Sequence, residues 1–399
     1  MSNNNENKLV PKLRFPEFTD EKWNRMTIDE TCEILNNLRK PLTNNLREKG
    51  EYPYYGASGI IDYVNDYIFN ERLLLIGEDG AKWGAYEKTA FIAEGKYWVN
   101  NHAHVLKPIG VVDTLLENYL VKLDISPFIT GAAPPKLTLG KLKSIPVPIP
   151  EIRKEQQKIA ACLSSLDEVI TAESRKLELL KEHKKGLLQN LFSQEGETVP
   201  KLRFPEFKDD GEWEETTLIQ VADYENGKAH EQDIEDSGDF IIVNSKFISS
   251  DGEVKKFTNT AFCPAHKGDI LMVLSDVPNG KAIAKCFIVE EDCSYTVNQR
   301  ICRITSRNLN SKILYYLLNR NPYFLAFDDG VKQTNLRKED VLNCPLLIPS
   351  DHKEQEKIAE TLSSIDDLIN AQSQRIEALK MHKKGLLQGL FPDVNEVTK

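Results

Sequence analysis

Nowhere in its 399 residues does the chain run to 18 consecutive apolar residues, and its opening, MSNNNENKLVP, has no apolar stretch. A membrane-spanning helix takes about 20 such residues and a secretory leader about 7–15. Neither a span nor a leader is expected, and the cytoplasm is the expected compartment. Cysteine is sparse and unpatterned. The seven thiols, Cys32, Cys162, Cys263, Cys286, Cys293, Cys302 and Cys344, are odd in number and form no CxxC pair. That argues against a disulfide framework and against zinc. The seven histidines include no HExxH. His102 and His104 would share a face on a strand, but no third ligand is evident near them, so no metal is expected.

The loops that carry group-transfer chemistry are missing as well. No GxxxxGK[ST] is present to cradle a triphosphate, and no GxGxxG follows a strand to hold a dinucleotide or S-adenosylmethionine. No GxSxG occurs. Asp79 and Lys82 are close in sequence, but no paired carboxylates accompany them to make a metal nuclease. Asn321-Pro322-Tyr323-Phe324 is near the Asn-Pro-Pro-Tyr tetrapeptide of amino-methyltransferases. It lacks the second proline and follows a helical run, so a helix stop accounts for it. The chain is expected to carry no catalytic residue and no cofactor of its own.

What is present is a repeat. Lys154 to Phe192, KEQQKIAACLSSLDEVITAESRKLELLKEHKKGLLQNLF, returns 199 residues later as Lys353 to Phe391. In the first copy apolar residues fall at Ile159, Leu163, Leu166, Ile170, Leu177, Leu180, Leu187 and Leu191. In the second they fall at Ile358, Leu362, Ile365, Ile369, Ile376, Leu379, Leu386 and Leu390. Steps of four and three over nearly five heptads predict two long helices whose apolar seams bury each other as an antiparallel coiled coil. Polar residues interrupt the seam at Glu173 and Lys184, and at Gln372 and Lys383. One register sets Glu173 against Lys383 and Lys184 against Gln372, which would fix the pairing. The alternative is that these stems simply reach out to solvent.

The repeat extends beyond the helices. VPKLRFPEF opens each half, at Val10 and at Val199, and a tryptophan follows in both, Trp23 and Trp213. Each half closes on a glycine, a leucine and prolines, aligning Gly131 with Gly330, Leu137 with Leu336, Pro146 with Pro345 and Pro150 with Pro349. Proline there is expected to end a strand and aim the chain into the helix. A chain this long holds two or three domains. The reading is an N-terminal segment 1–19, a variable domain 20–150, a repeated helix 151–193, a linker 194–208, a second variable domain 209–349, a repeated helix 350–392 and a tail 393–399. Strand-like runs, among them Arg72–Ile76, Trp98–Leu106, Asp269–Leu274, Ala282–Val289 and Tyr295–Ile304, mix with helical runs at Val112–Leu123 and Lys312–Asn319. Each variable domain is therefore a compact α+β unit.

The net charge of −10 is unpromising for a nucleic-acid partner until its distribution is considered. From Asp209 to Asp239 twelve acidic residues face only Lys228, whereas Phe240 to Lys338 holds fourteen basic and nine acidic residues. Segregated patches matter more than the total. Amides, aromatics and bases gather in loops and at strand ends. In the first half these are Tyr54, Tyr55, Ser58, Lys82, Trp83, Asn100, Asn101, His102, His104 and Lys136. In the second they are Asn244, Ser245, Lys246, Asn279, Lys281, Asn298, Gln299, Arg300, Lys332, Gln333, Thr334, Asn335 and Arg337. Asn, Gln, Arg and Lys fit base edges, and Lys and Ser hold phosphates. Asn-rich loops are also ordinary turns. All of these residues are candidates for DNA contact.

Two variable domains alternating with the KEQxKIAxxLSSxDxxI…HKKGLLQxLF helix resemble the specificity subunit of type I restriction-modification systems. So do YPYYGASG at Tyr52, VNNHAHVL at Val99 and the proline-punctuated closings. The resemblance covers essentially the whole chain. It implies two target recognition domains, each reading one half of a split double-stranded DNA site, held apart by the paired helices. It also implies a non-catalytic bacterial defence protein. Its expected partners are two adenine-methyltransferase (modification) subunits and two ATP-driven restriction subunits, which use S-adenosylmethionine, ATP and Mg. About 33 helical residues span roughly 50 Å, enough for half-sites about 34–36 Å apart. An internal two-fold would recruit two copies of a partner. The other readings are a single-chain DNA methyltransferase, which S-adenosylmethionine binding would reveal, and a coiled-coil adaptor without DNA affinity.

Overall fold

A computed structural model of the chain describes residues 9–193, 196–278, 280–292 and 294–393. The chain divides into a first unit, residues 1–176 with 372–399, and a second, residues 177–371. Both boundaries fall inside long helices, Arg153–Leu191 and His352–Leu390. Lys, Glu, Gln and Leu fill these helices, all straight-chain residues that keep most of their rotamer freedom in a helix.

In the first unit the strands are β1 (Trp23–Thr27), β2 (Cys32–Ile34), β3 (Lys49–Gly56), β4 (Gly59–Val64), β5 (Phe69–Asn70), β6 (Leu73–Gly77), β7 (Ala90–Ala93), β8 (Lys96–Val99), β9 (Ala103–Pro108) and β10 (Pro146–Pro150). They form one sheet ordered β2-β9-β6-β7, a second ordered β4-β3-β8-β5, and a ribbon of β1 with β10. The second unit has β11 (Glu214–Thr217), β12 (Ala222–Asn226), β13 (Phe240–Val243), β14 (Phe257–Thr258), β15 (Pro264–Ala265), β16 (Ile270–Val273), β17 (Ser275–Asp276), β18 (Cys286–Ile288), β19 (Tyr295–Val297), β20 (Ile301–Ser306), β21 (Thr334–Asn335) and β22 (Pro345–Ile348). Its sheets run β12-β20-β16-β18 and β14-β13-β19-β15, with ribbons β11-β22 and β17-β21. The two main sheets therefore repeat strand for strand, including one parallel pair in each unit, β3 with β8 and β13 with β19.

Three strand expectations are corrected. Trp98–Leu106 and Tyr295–Ile304 each break in the middle, and the chain changes sheet there. The cause is asparagine folding the chain onto itself. The Asn100 carbonyl Oδ1 accepts from His102 N at 2.8 Å, and that of Asn298 from Gln299 N at 2.6 Å. In the run Ala282–Val289 only Cys286–Ile288 is strand, because the Asp276 carboxylate takes the amides of Ala282 and Ile283. The closing prolines lie within strands as well as ending them. Trp23 pairs with Pro150 and Thr27 with Pro146 in a two-stranded ribbon, whose open edge needs no donor. Gly131 and Gly330 both take positive φ, 84° and 69°, at the turn that precedes each closing run.

Helix ends complete each core. In the first unit Ile159 and Leu163 near the start of one long helix, and Leu387, Leu390 and Phe391 at the end of the other, pack with Leu74, Ile76, Leu106 and Leu115. In the second unit Ile358 and Leu362 pack with Leu191 and Phe192 around Ile270, Met272 and Ile304. Fully burying each such side chain stabilises by about 1.5–3 kcal/mol. The opening segments dock on the helix ends. Leu13 N donates to Gly389 O, where a β-carbon would strike Leu13, and Leu202 N donates to Asn190 O, both at 2.8 Å.

Within each unit the two helices lie side by side. In the first, Lys383 Nζ donates to both oxygens of Asp167 at 2.6 and 2.7 Å, and Gln372 Nε2 donates to Glu173 O and Oε2 at 2.9 and 2.6 Å. Rising from 167 to 173 on one helix matches falling from 383 to 372 on the other, so the pair is antiparallel. In the second unit Lys184 pairs with Asp366 at 2.5 Å. Every apolar seam position named above is buried or half-buried, while the exposed apolar residues Val169, Leu179, Leu368 and Met381 lie off the seam. The Glu173–Lys383 register is not formed. Each lysine stem reaches an aspartate beside the seam, which leaves Glu173 opposite Gln372, the same position of the repeat.

Candidate nucleic-acid interface

In the second unit the sheet change at Asn298–Arg300 brings together residues far apart in sequence. Asn244, Ser245, Lys246, Asn298, Gln299 and Arg300 line one open cavity of about 290 Å³, with Glu231, Ile234 and Lys256. Asn244 follows β13 and caps a short helix, its Oδ1 accepting from Phe247 N at 2.9 Å. Ile242 N donates to Lys256 O at 2.8 Å, and Leu274 N to Arg300 O at 3.0 Å, so both cations stand on backbone pinned to sheet. Lys246, Lys256 and Arg300 are exposed and make no ion pair among the described residues. Glu231 accepts from Gln299 Nε2 at 3.0 Å. Lys281 and Lys332 are also exposed, on loops beside the β17-β21 ribbon. Gln333 and Asn335 brace that ribbon instead of standing free, since Gln333 Nε2 donates to Ser275 Oγ at 2.7 Å and Asn335 Nδ2 to Gln333 O at 3.4 Å. Thr334 is buried, and Arg337 is exposed at the start of the following helix. Asn279 lies outside the described residues.

The first unit builds the same corner differently. By the register Tyr55 opposite Val99 and Val243 opposite Val297, Asn100, Asn101 and His102 correspond to Asn298, Gln299 and Arg300. His102 is exposed, but it is paired with Asp79. Behind it, Glu78 is 7% exposed and accepts from Arg39 Nη1 at 2.5 Å and from Lys136 Nζ at 2.7 Å. Burial pushes the Glu78 carboxyl up, but hydrogen bonds from Lys136 and Arg39 outweigh it and hold the group below its usual range. Ser58 sits exposed in the two-residue turn between β3 and β4, and Asn101 is exposed. Lys82 is exposed, 3.8 Å from Glu87.

Several candidates are bonded or packed into the framework. Tyr54 is 1% exposed and accepts from Leu42 N at 2.9 Å. Tyr55 is half-buried with its ring against Phe91 and Tyr97. Trp83 is half-buried on the core and donates to Gly77 O at 3.2 Å. Asn100 is 3% exposed and shapes its turn. His104 does not share a face with His102. It is 1% exposed, bonded to Asn36 Nδ2 at 2.8 Å and Leu137 O at 2.7 Å, and burial holds its imidazole below the usual value. Alternation failed here because His102 is in the turn, not on the strand. The sequence reading missed Lys256 and Glu231. Adjacent Lys255 and Lys256 were the available signal, whereas Glu231 was hidden in the acidic run. Burial pushes the Cys302 and Cys344 thiols up to about 12, and Cys32 to about 11, so all three stay protonated at neutral pH.

The family model described as "Type I restriction modification DNA specificity domain" matches residues 20–182 and again 210–381. A Haemophilus influenzae relative is 40% identical over 143 residues, 35% of this chain and 37% of its own length, so that match spans about a third of the relative. The Methanocaldococcus jannaschii type I restriction enzyme MjaVIII specificity subunit is 25% identical over 415 residues, 95% of this chain and 93% of its own. Among solved structures, the type I restriction-modification S subunit from M. genitalium superposes with a TM-score of 0.65 over 96% of this chain and 100% of its own. At 15% identity that likeness shows the fold alone. With the family domain matched twice over most of the length, the chain belongs to the type I restriction-modification DNA specificity subunits.

Proposed function

We propose that this chain is the DNA-reading subunit of a type I restriction-modification complex in the cytoplasm. Each unit reads one half of a bipartite double-stranded site. The paired helices set the spacer and present two equivalent docking faces to two modification subunits, which two restriction subunits join for cleavage. The chain itself performs no chemistry. S-adenosylmethionine, ATP and Mg serve the partner subunits.

The observation that carries this reading is one frame with two different reading corners. The strand orders of the main sheets are identical, and the same turn sits between β8 and β9 as between β19 and β20. Yet one turn ends in a paired histidine and the other in an unpaired arginine. A repeated scaffold with dissimilar exposed ends suits two half-sites of different sequence. A 39-residue helix is about 58 Å long, which exceeds the distance between half-sites one duplex turn apart. The adaptor reading gives no reason for unpaired cations at a sheet corner.

The test is sequencing of methylated adenines in a host carrying the assembled complex, with and without replacement of residues 20–150. One half of the methylated motif should change and the other should persist. A change in both halves would refute the two-reader model.

A further inference from the structure

The cavity at the ends of β13 and β19 carries a sharper assignment, which rests on the DNA-reading function above. We propose that it is the reading pocket of the second half-site, with Arg300 addressing a guanine edge and Lys246 and Lys256 gripping the flanking phosphates.

Charge comes first. Three cations and one carboxylate line the cavity. The carboxylate, Glu231, is occupied by the Gln299 amide, and none of the three cations is paired with it. The pocket therefore presents net positive charge to solvent in a chain whose total is −10. Such local potential survives an unfavourable total because screening limits each charge to about 8–10 Å at physiological salt. Rigidity comes second. Arg300 and Lys256 both stand on backbone carbonyls bonded into the sheets, so their stems start from fixed points. Loops on rigid scaffolds are where recognition side chains reside.

The division of labour follows from side-chain chemistry. The arginine fork is planar and offers parallel donors that match O6 and N7 of guanine in the major groove. Lysine is a point charge with rotatable donors, suited to phosphate oxygens. The first unit supplies the contrast. Gly56, Ala57 and Ser58 stand where Asn244, Ser245 and Lys246 stand, and His102 replaces Arg300 with Asp79 already on it. At the positions that match Lys246, Lys256 and Arg300 the first corner has Ser58, Asp62 and the paired His102, and its exposed cation is instead Lys40, whose N donates to Val99 O at 3.3 Å, so this arrangement belongs to the second reader.

The experiment uses the full chain assembled with its modification subunits, probed with duplexes carrying the methylated motif and with salt titrations. Arg300→Ala should relax one guanine position of the second half-site, lower cognate affinity about 5- to 150-fold and leave the first half-site intact. Arg300→Lys keeps the charge, so it should preserve the salt dependence and still lose discrimination. Lys256→Ala should weaken binding to all sequences alike and reduce the slope of log affinity against log salt by about one. If the wild-type complex methylates a bipartite motif and Arg300→Lys reads the second half-site unchanged, this assignment is overturned while the DNA-reading function stands. Relaxation of the first half-site instead would also overturn it. A wild-type complex that methylates no bipartite motif overturns both.

Discussion

The two units share a frame and differ at their corners, and the difference separates what holds the fold from what faces a partner. The frame repeats down to single contacts. Arg14 grips Glu155 in the first unit at 2.8 and 2.9 Å, and Arg203 grips Glu354 in the second at 2.8 Å twice. Gln156 and Gln355 each donate to the closing proline carbonyl, of Pro150 and Pro349, at 2.9 and 2.8 Å. Phe391 meets Trp23 edge-on at 6.4 Å, and Phe192 meets Trp213 at 6.2 Å. All of these lie where helix, opening segment and ribbon converge. At the corners, by contrast, the first unit pairs Arg39 and Lys136 with Glu78 and bonds His102 to Asp79, while the second leaves Lys246, Lys256 and Arg300 exposed and without an ion pair among the described residues. Buried ion pairs leave no freedom to vary one partner alone, whereas an exposed corner can exchange side chains at little cost to the fold.

The largest effect should come from breaking the frame. Glu155 is 0% exposed and Glu354 1%, so Arg14→Leu and Arg203→Leu each strand a buried carboxylate. Loss of one partner from such a pair costs about 3–5 kcal/mol. The two units should not respond equally. Trp23 Nε1 also donates to Glu155 at 3.1 Å, so Glu155 keeps one donor when Arg14 is lost. Arg203→Leu should be the more damaging in denaturant or thermal unfolding, and the reverse order would show that the Trp23 donor does not support Glu155.

The seam should give the next largest effect. Ile376 is 4% exposed and Leu177 only half-buried. Ile376→Asp buries an unpaired charge and should cost about 3 kcal/mol or more, with Leu177→Asp milder because water reaches that layer. Soluble yield and recovery with the modification subunits are the readouts. Normal assembly by both variants would contradict the helix pairing.

Much of this frame was legible in the sequence because periodicity and repetition are local signals. The 199-residue offset located both helices, and their four-and-three spacing matched the positions that are sheltered from solvent. The register was not legible. Glu173 and Lys383 looked complementary, but the lysines had nearer carboxylates in Asp167 and Asp366, which lie off the seam and are invisible to heptad reasoning. The corners were partly legible. Asn298, Gln299 and Arg300 were singled out as one cluster, yet their meeting with Lys246 and Lys256 depends on the parallel pairing of β13 with β19, a non-local fact. Tyr54 and His104 misled because buried polar residues and surface readers have the same composition, and only burial tells them apart.

A subtler test concerns the layer where the repeat meets itself. Glu173 and Gln372 occupy one position of the repeat, and the amide donates to the carboxylate. Hydrogen bonding from Gln372 holds the Glu173 carboxyl below its usual value. Gln372→Glu would set two carboxylates against each other and raise the pKa of one above its unfolded value. Stability contributed by that proton is present below the unfolded pKa and lost as pH rises through the folded one. The variant should therefore melt lower than the parent near pH 7 and recover on acidification through the carboxylate range. A melting difference that does not change with pH would show that the two side chains do not face each other in solution.

The smallest expected difference tests the frame at one indole. Trp23 is 6% exposed and Trp213 4%, and both rings meet a phenylalanine edge-on at nearly the same distance. Trp→Phe at either site loses similar packing, so that loss cancels in the comparison. What remains is the N–H. Trp23 Nε1 donates to the Glu155 carboxylate at 3.1 Å, whereas Trp213 Nε1 is buried with no partner among the described residues. Removing a donor to a charged group costs about 1.5–3 kcal/mol, while removing an orphaned buried donor relieves a desolvation penalty. Trp23→Phe should therefore destabilise the chain by at least about 1.5 kcal/mol more than Trp213→Phe, read from chemical unfolding monitored on the remaining tryptophans. Equal losses would mean that the Trp213 indole finds an acceptor in solution. The second frame would then be as fully bonded as the first, and the asymmetry between the units would be confined to their corners.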